Sequence, residues 1–321
     1  MKRVIASFLL IFSFFSCSGQ KTSFENWMEG SSKGKVLATT AMIADLVRAV
    51  GKERVDLLVL IEGEIDPHSY ELVKGDDEKL HKADLIFYNG LGLEHGASLS
   101  YCLENSPKAI SLGGALCRKF PEKILFTSDG TTDPHIWMDI SLWAESIEII
   151  CEKLQDLDPE GKAFYQKNAQ HVKNSLLESH HQIKESFQKI PSEKRYMVTT
   201  HDAFHYFARS YLAAEEEKEE VWRSRVAAPE GLAPEGEISP LEIKKVLSYL
   251  QEHEVKVLFP ESNLSQSSLR KIANDARSLG LHITLSQEPL YGDTMPKRRE
   301  EELGYLQMLK DNARTILKAM E

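Results

Sequence analysis

Thiol pairs are missing from this sequence. Its 321 residues include four cysteines, Cys17, Cys102, Cys117 and Cys151, and no CxxC. A thiolate zinc site is therefore not expected. Beyond Cys17 the cysteines are odd in number, and Cys102 with Cys117 is the nearest pair that an oxidising compartment could close. Positive charge is also short: 39 Lys and Arg stand against 49 Asp and Glu, a net charge of −10, with no basic stripe. That argues against nucleic acid as a partner. No P-loop is present, so any ATP-driven step would have to come from other proteins. No apolar run approaches the ~20 residues that a membrane-spanning helix needs.

What is present is an ordinary globular composition, 42% hydrophobic and 27% charged. The chain is long enough for two lobes, since single cores seldom grow past ~250–300 residues. At the amino end, Lys2-Arg3 precedes the twelve-residue apolar segment Val4–Phe15, and residues 1–17 read as an export signal. Phe14-Phe15-Ser16-Cys17 resembles a bacterial lipobox, with Phe where Leu and a small residue are usual. Two fates stay open there: lipidation of Cys17, which would be the chain's sole membrane attachment, or cleavage to a soluble periplasmic product. Residues 18–34, polar and ending in Gly30-Ser31-Ser32-Lys33-Gly34, read as a tether.

From residue 35 strands and helices alternate. Val36–Thr40, Val55–Ile61, Asp84–Tyr88 and Lys108–Leu112 read as strands, and Met42–Val50 as a helix with Ile43, Leu46 and Val47 on one face. The alternation predicts a mostly parallel sheet flanked by helices. Leu142–Leu157 reads as helical. Gly161 to about Lys189 then forms one long stretch with no internal Pro or Gly, a rigid helix of ~43 Å. Strand character returns at Arg195–Thr200, Val255–Phe259 and Leu281–Leu285. Between them, Glu215–Glu220 is a charge run expected in an exposed loop or helix end, and Ser239-Pro240 marks a helix start. The fold class expected is α/β, with two lobes joined by that helix. The bounds are 35–158 for the first lobe, 159–190 for the linking helix and 191–321 for the second lobe.

Four side chains carry the chemistry. His68 follows Asp66-Pro67 at the end of an apolar run, and His135 repeats the pattern behind Asp133-Pro134. Pro fixes its own φ and pushes its predecessor into extended backbone, so Asp-Pro-His presents the imidazole on a stiff loop past a strand end. His201 follows Val198-Thr199-Thr200, and Asp293 lies in Tyr291-Gly292-Asp293. Three neutral imidazoles and a carboxylate form a plausible shell for one divalent transition metal. Glu261, after Pro260 at a strand end, could reach the metal or brace a ligand imidazole by its other nitrogen, and the bracing role is expected. Trp137 beside His135 would supply an apolar wall or belong to the core. His180-His181 reads as a solvated pair on the long helix.

Together these motifs resemble the metal-specific substrate-binding proteins of bacterial ABC importers, solute-binding protein family nine. The stretches are Asp66–Glu71, Asp133–Asp139, Thr200–Ala208, Phe259-Pro260-Glu261 and Gly292-Asp293, in that order. The resemblance runs from about Lys35 to the C-terminus. It implies two α/β lobes with a metal between them, held by His68, His135, His201 and Asp293. It also implies no enzymatic activity, and delivery of zinc, manganese or iron to a membrane permease driven by an ATPase. A periplasmic monomer is expected. Residues around 214–230 look like an insertion relative to the family pattern. The His-rich acidic loop of many zinc carriers is absent, which leans towards manganese or iron without deciding the metal.

Two other functions compete. His201-Asp202-Ala203-Phe204-His205 superficially resembles the HExxH motif, with Asp where the Glu base stands, and would suit a zinc-dependent hydrolase. An adhesin-like surface role is sometimes attached to the family by resemblance. A carrier should fill its metal shell with protein ligands, whereas a catalytic metal keeps a position open.

Overall fold

The computed structural model describes residues 23–29, 32–127, 129–234, 238–296 and 303–321. Cys17 and the export-signal segment lie outside them. Two four-stranded sheets form the framework. The first contains β1 (Gly34–Ala38), β2 (Val55–Val59), β3 (Leu85–Tyr88) and β4 (Ala109–Ser111) in the order β2-β1-β3-β4. The second contains β5 (Met197–Thr199), β6 (Val226–Ala227), β7 (Val257–Phe259) and β8 (Thr284–Leu285) in the order β6-β5-β7-β8. Every pairing is parallel. Parallel neighbours need crossover connections, and here helices supply them on the sheet faces.

The apolar patterning explains what is buried. In the helix Ala41–Gly51, Met42, Ile43, Leu46, Val47 and Val50 are all at most 1% exposed. The long helix runs Lys162–Gln188, 27 residues after a short 3-10 turn at Pro159–Gly161. It is more than a spacer. Tyr165, Ala169, Val172, Leu176, Ile183 and Phe187 form a buried stripe along it and join one continuous core. That core includes Val36 and Phe87 of the first sheet, Met197 and Phe259 of the second, and Tyr305, Leu309 and Ile316 of the C-terminal helix Gly304–Met320.

Several sequence expectations need correction. The tether is not bare: Ser23–Glu29 is helical, and its Trp27 is 1% exposed, donating its Nε1–H to the Asp56 carbonyl at 2.9 Å. Leu142–Leu157 is not one helix but two, Ile140–Trp143 and Ser146–Leu157, the first capped by the Asp139 carboxylate. The charge run Glu215–Glu220 is, as expected, a largely exposed loop leading into a helix end, but the 214–230 segment is more than a loop. It holds the helix Glu219–Arg223 and the edge strand β6, and Glu217 turns inward to a two-point pairing with Arg225 at 2.6 Å. The Arg225 side chain is 2% exposed and also donates to the Ser192 carbonyl at 2.8 Å. Cys102 and Cys117 do not pair, and both are free thiols, as is Cys151. His180 is not fully solvated, because its Nδ1 lies 3.1 Å from the Tyr211 hydroxyl. The Ser239 start holds as a reciprocal cap: Ser239 Oγ accepts from Glu242 N–H, and Glu242 Oε2 accepts from Ser239 N–H at 2.8 Å. Among the described residues no helix is long and apolar enough to cross a membrane.

Candidate metal centre

Each of the four predicted residues sits beyond the carboxyl end of a sheet, where parallel α/β sheets hold their ligands. Past β2, the Asp66 carboxylate accepts the His68 backbone N–H at 2.9 Å and the Ser69 hydroxyl at 3.0 Å, closing a tight turn around Pro67. Asp133 does the same for the His135 N–H at 3.0 Å and goes further, with Oδ1 2.8 Å from His135 Nδ1. That contact fixes the ring and points Nε2 inward. The Asn89 amide, at the end of β3, donates to the Pro134 carbonyl at 3.0 Å and ties this loop to the first sheet.

His201 follows β5 directly. Glu261, just past β7, accepts the N–H groups of Thr200 and His201 at 3.1 and 3.0 Å through one oxygen, and its other oxygen lies 2.8 Å from His201 Nδ1. The next helix begins only at His205. Asp293 is delivered by a loop that requires glycine: a Cβ on Gly292 would fall 2.1 Å from Glu261 Oε2 and 3.0 Å from His201 Cε1. Trp137 anchors the same loop by donating its Nε1–H to the Gly292 carbonyl at 3.0 Å, while its ring packs edge-on against His135.

His68, His135, His201 and Asp293 thus each offer a ligand atom, all within 4.8 Å of one another. His68 Nε2 and His135 Nε2 are 3.3 Å apart. The Asp293 oxygens lie 3.2 Å from His201 Nε2, 3.5 Å from His135 Nε2 and 3.8 Å from His68 Nε2. None of the four residues is more than 4% exposed. Both Asp293 oxygens are buried and meet no hydrogen-bond donor other than these imidazole nitrogens. A carboxylate left so bare costs too much unless a cation compensates it.

The electrostatics agree with that need. Burial pushes the His68 pKa down to about 3, with the Asp293 charge opposing and the neighbouring imidazoles assisting. Burial works against the Asp293 charge as well, yet the surrounding imidazoles, His201 foremost, hold its pKa well below the usual carboxylate range. At His201 burial again disfavours charge, but Glu261 and Asp293 outweigh it and raise the pKa well above the ordinary value.

The remaining candidates divide. Glu261 braces His201 from behind and contributes none of the convergent atoms. His205 stays outside the cluster: its Nδ1 lies 3.2 Å from Asp202 and it lines a separate cavity with Pro229, Glu242 and Tyr249. His201 and His205 therefore do not share a helix face as HExxH requires. Three participants escaped the sequence reading. Asp133 and Asn89 fix the His135 loop, and Tyr206 ties it to the second lobe by donating to the Asp133 carbonyl at 3.2 Å. Asp133 and Tyr206 lie in stretches already singled out, Asp133–Asp139 and Thr200–Ala208, but these roles were not read for them.

Comparison with known proteins follows the same lines. The family model described as "ZnuA: Zinc-uptake complex component A periplasmic" matches residues 36–319. The chain is 40% identical over 282 residues to the metal-binding protein YtgA of Chlamydia trachomatis, covering 88% of this chain and 84% of that one. It is 29% identical to the manganese-binding lipoprotein MntA of Bacillus subtilis, covering 89% and 90%. Among solved structures, Fe(III)-bound YtgA from Chlamydia trachomatis superposes with a TM-score of 0.84 at 39% identity, over 90% of this chain and 98% of that one. The periplasmic zinc-binding protein TroA from Treponema pallidum gives 0.79 at 28% identity, over 90% and 99%. The chain belongs to the family of ZnuA, the periplasmic component A of zinc-uptake complexes.

Proposed function

We propose that this protein is the extracytoplasmic binding component of an ATP-driven metal importer. It captures one divalent transition metal, Zn, Mn or Fe, through His68, His135, His201 and Asp293, and delivers it to a membrane permease with its ATPase. The observation that carries this reading is the buried Asp293 carboxylate, bare of donors except for three convergent imidazoles. The relatives named above are metal-binding proteins, and the metals in their names include iron, manganese and zinc. The lobes are taken as 35–158 and 191–321, with 159–190 as the link. His68 and His135 belong to the first, His201 and Asp293 to the second. A four-ligand shell of buried side chains supports a carrier over an enzyme. It acts as a monomer in the periplasm, attached to a membrane only if Cys17 is lipidated.

The test is metal titration by calorimetry on the chain and its single variants. His68→Ala, His135→Ala, His201→Ala and Asp293→Ala each weaken binding by at least about a hundredfold, since each leaves buried partners unpaired. His205→Ala changes nothing. Unchanged affinity in His135→Ala would refute the assignment, and lost affinity in His205→Ala would revive the hydrolase arrangement.

A further inference from the structure

The cluster is closed to water. His68, His135, His201 and Asp293 are 1%, 0%, 0% and 4% exposed, so an ion reaches them only if a ligand first turns outward. Three of the four are held from behind. The His135 ring meets Asp133, the His201 ring meets Glu261, and the Asp293 loop is tied to Trp137. His68 differs. Asp66 reaches only its backbone N–H and the Ser69 hydroxyl, and among the described residues Asp293 is the one carboxylate within 4.0 Å of its ring. His68 also stands on a loop whose residues 62–65 are all exposed.

On its outer side His68 meets another imidazole. His95, which is exposed, has its ring centroid 5.7 Å from that of His68, at 51°. Inside the cluster the imidazole centroids lie 5.3, 5.3 and 6.2 Å apart. With the His68 ring turned inward, His95 already stands at the spacing of the inner pairs, within reach of an ion that this ring carries. Two imidazoles binding one ion at ~2.0–2.1 Å each place their ring centres ~5–6 Å apart. His95 lies on the loop after β3, beside Glu94, whose buried carboxylate accepts from Asn89 N–H, Gly90 N–H and the Thr39 hydroxyl at 2.7–2.9 Å. The loop is thus firmly seated next to an exposed imidazole.

We propose that His68 and His95 form an outer two-imidazole station for the divalent cation. The ion first binds His95 and an outward-turned His68, and then follows His68 inward as water ligands are exchanged for His135, His201 and Asp293. Release retraces these steps. This rests on the carrier reading above. His95 touches the ion only in transit, so it lowers the barrier in both directions and leaves the equilibrium unchanged.

The experiment uses the full chain freed of metal, with Co²⁺ as probe. Binding is followed by stopped-flow quenching of tryptophan emission, since the Trp137 ring lies 5.3 Å from that of His135, and release by a chelator chase. In His95→Gln, association and release each slow by about tenfold, equivalent to about 1.4 kcal/mol of barrier, while Kd stays within about twofold. His95→Asn behaves alike, and thermal melts of both match the parent. Glu64→Gln removes a carboxylate whose field reaches Tyr291 beside the Asp293 loop, and serves as the control for simple charge attraction. Unchanged rates in His95→Gln would overturn the proposal. So would a weakened Kd carried by faster release alone, which would make His95 a ligand of the resting shell, or an equal slowing of association in Glu64→Gln. Failure of the parent chain to bind Co²⁺ at all would instead overturn the carrier reading, and the station with it.

Discussion

At the scale of residues, His201 decides the chemistry of the empty-handed protein. Glu261 and Asp293 raise its pKa against the effect of burial, so a proton competes with the metal for its imidazole. Ligation requires that proton to leave. Binding is therefore expected to release protons, and apparent affinity to rise with pH until the pH passes the raised pKa of His201. His68, already neutral with its pKa near 3, contributes none. The same shift affects stability with a fixed sign. A raised folded pKa stabilises the metal-free fold fully below the unfolded value of ~6.5, and that contribution is lost as pH rises through the folded value. Calorimetry in buffers of different protonation enthalpy counts the protons. Glu261→Gln should release fewer and bind about 10–100-fold more weakly, as loss of a ligand's outer partner does. Binding without proton release at pH 7 would contradict this account. The four convergent residues were legible in the sequence because Asp-Pro-His occurs twice and each ligand follows a strand or turn signal. The braces were less legible, because identical dipeptides act differently. Asp66 caps backbone and hydroxyl only, whereas Asp133 also reaches the ring.

At the scale of elements, strong periodicity predicted well and short pieces did not. The long helix was foreseen within a residue at each end, because nothing in its 27 residues breaks a helix. The strand β6 has two residues and no periodicity to show, so it was not read from the sequence. What fixes that segment is Arg225, a buried guanidinium whose carboxylate partner hides within a run of exposed acids. The helix around Trp27 escaped because it is only seven residues long: Phe24, Trp27 and Met28 make a single turn of apolar pattern, yet they pack against the first sheet. Glu217→Gln leaves the Arg225 charge buried and unpaired and should cost about 3–5 kcal/mol of stability in denaturant melts, with metal affinity unchanged. Arg225 holds the Glu217 pKa below the usual carboxylate range. The contribution of this pair is therefore present above the unfolded value of ~4.3 and is lost as pH falls through the folded one. A variant as stable as the parent would show that β6 is held by packing alone.

At the scale of the whole molecule, the lobes share one core and do not hang on a flexible linker. The long helix packs its apolar stripe against both, and the C-terminal helix crosses between them. Hydrogen bonds, two of them buried, tie the lobes further. Tyr305 donates its N–H to Asp45 at 3.1 Å and its hydroxyl to the Trp137 carbonyl at 2.6 Å, and Arg209 donates to the Lys123 carbonyl at 2.7 Å. Wide hinge closure needs a few residues free to absorb large φ/ψ changes, and these contacts leave little room for it. Small-angle scattering with and without metal should give nearly the same radius of gyration, with changes confined to the loops carrying His68 and Asp293. A shift of the size seen in two-lobe proteins that clamp by hinge motion would show that the shared core opens.

One metal ion is expected among His68, His135, His201 and Asp293. Anomalous diffraction from crystals grown with one equivalent of Mn, Fe or Zn tests it most directly. A single peak is expected at coordination distance, ~2.0–2.2 Å, from the three Nε2 atoms and an Asp293 oxygen. A peak at Asp202 and His205, or no peak within reach of these four side chains, would contradict it.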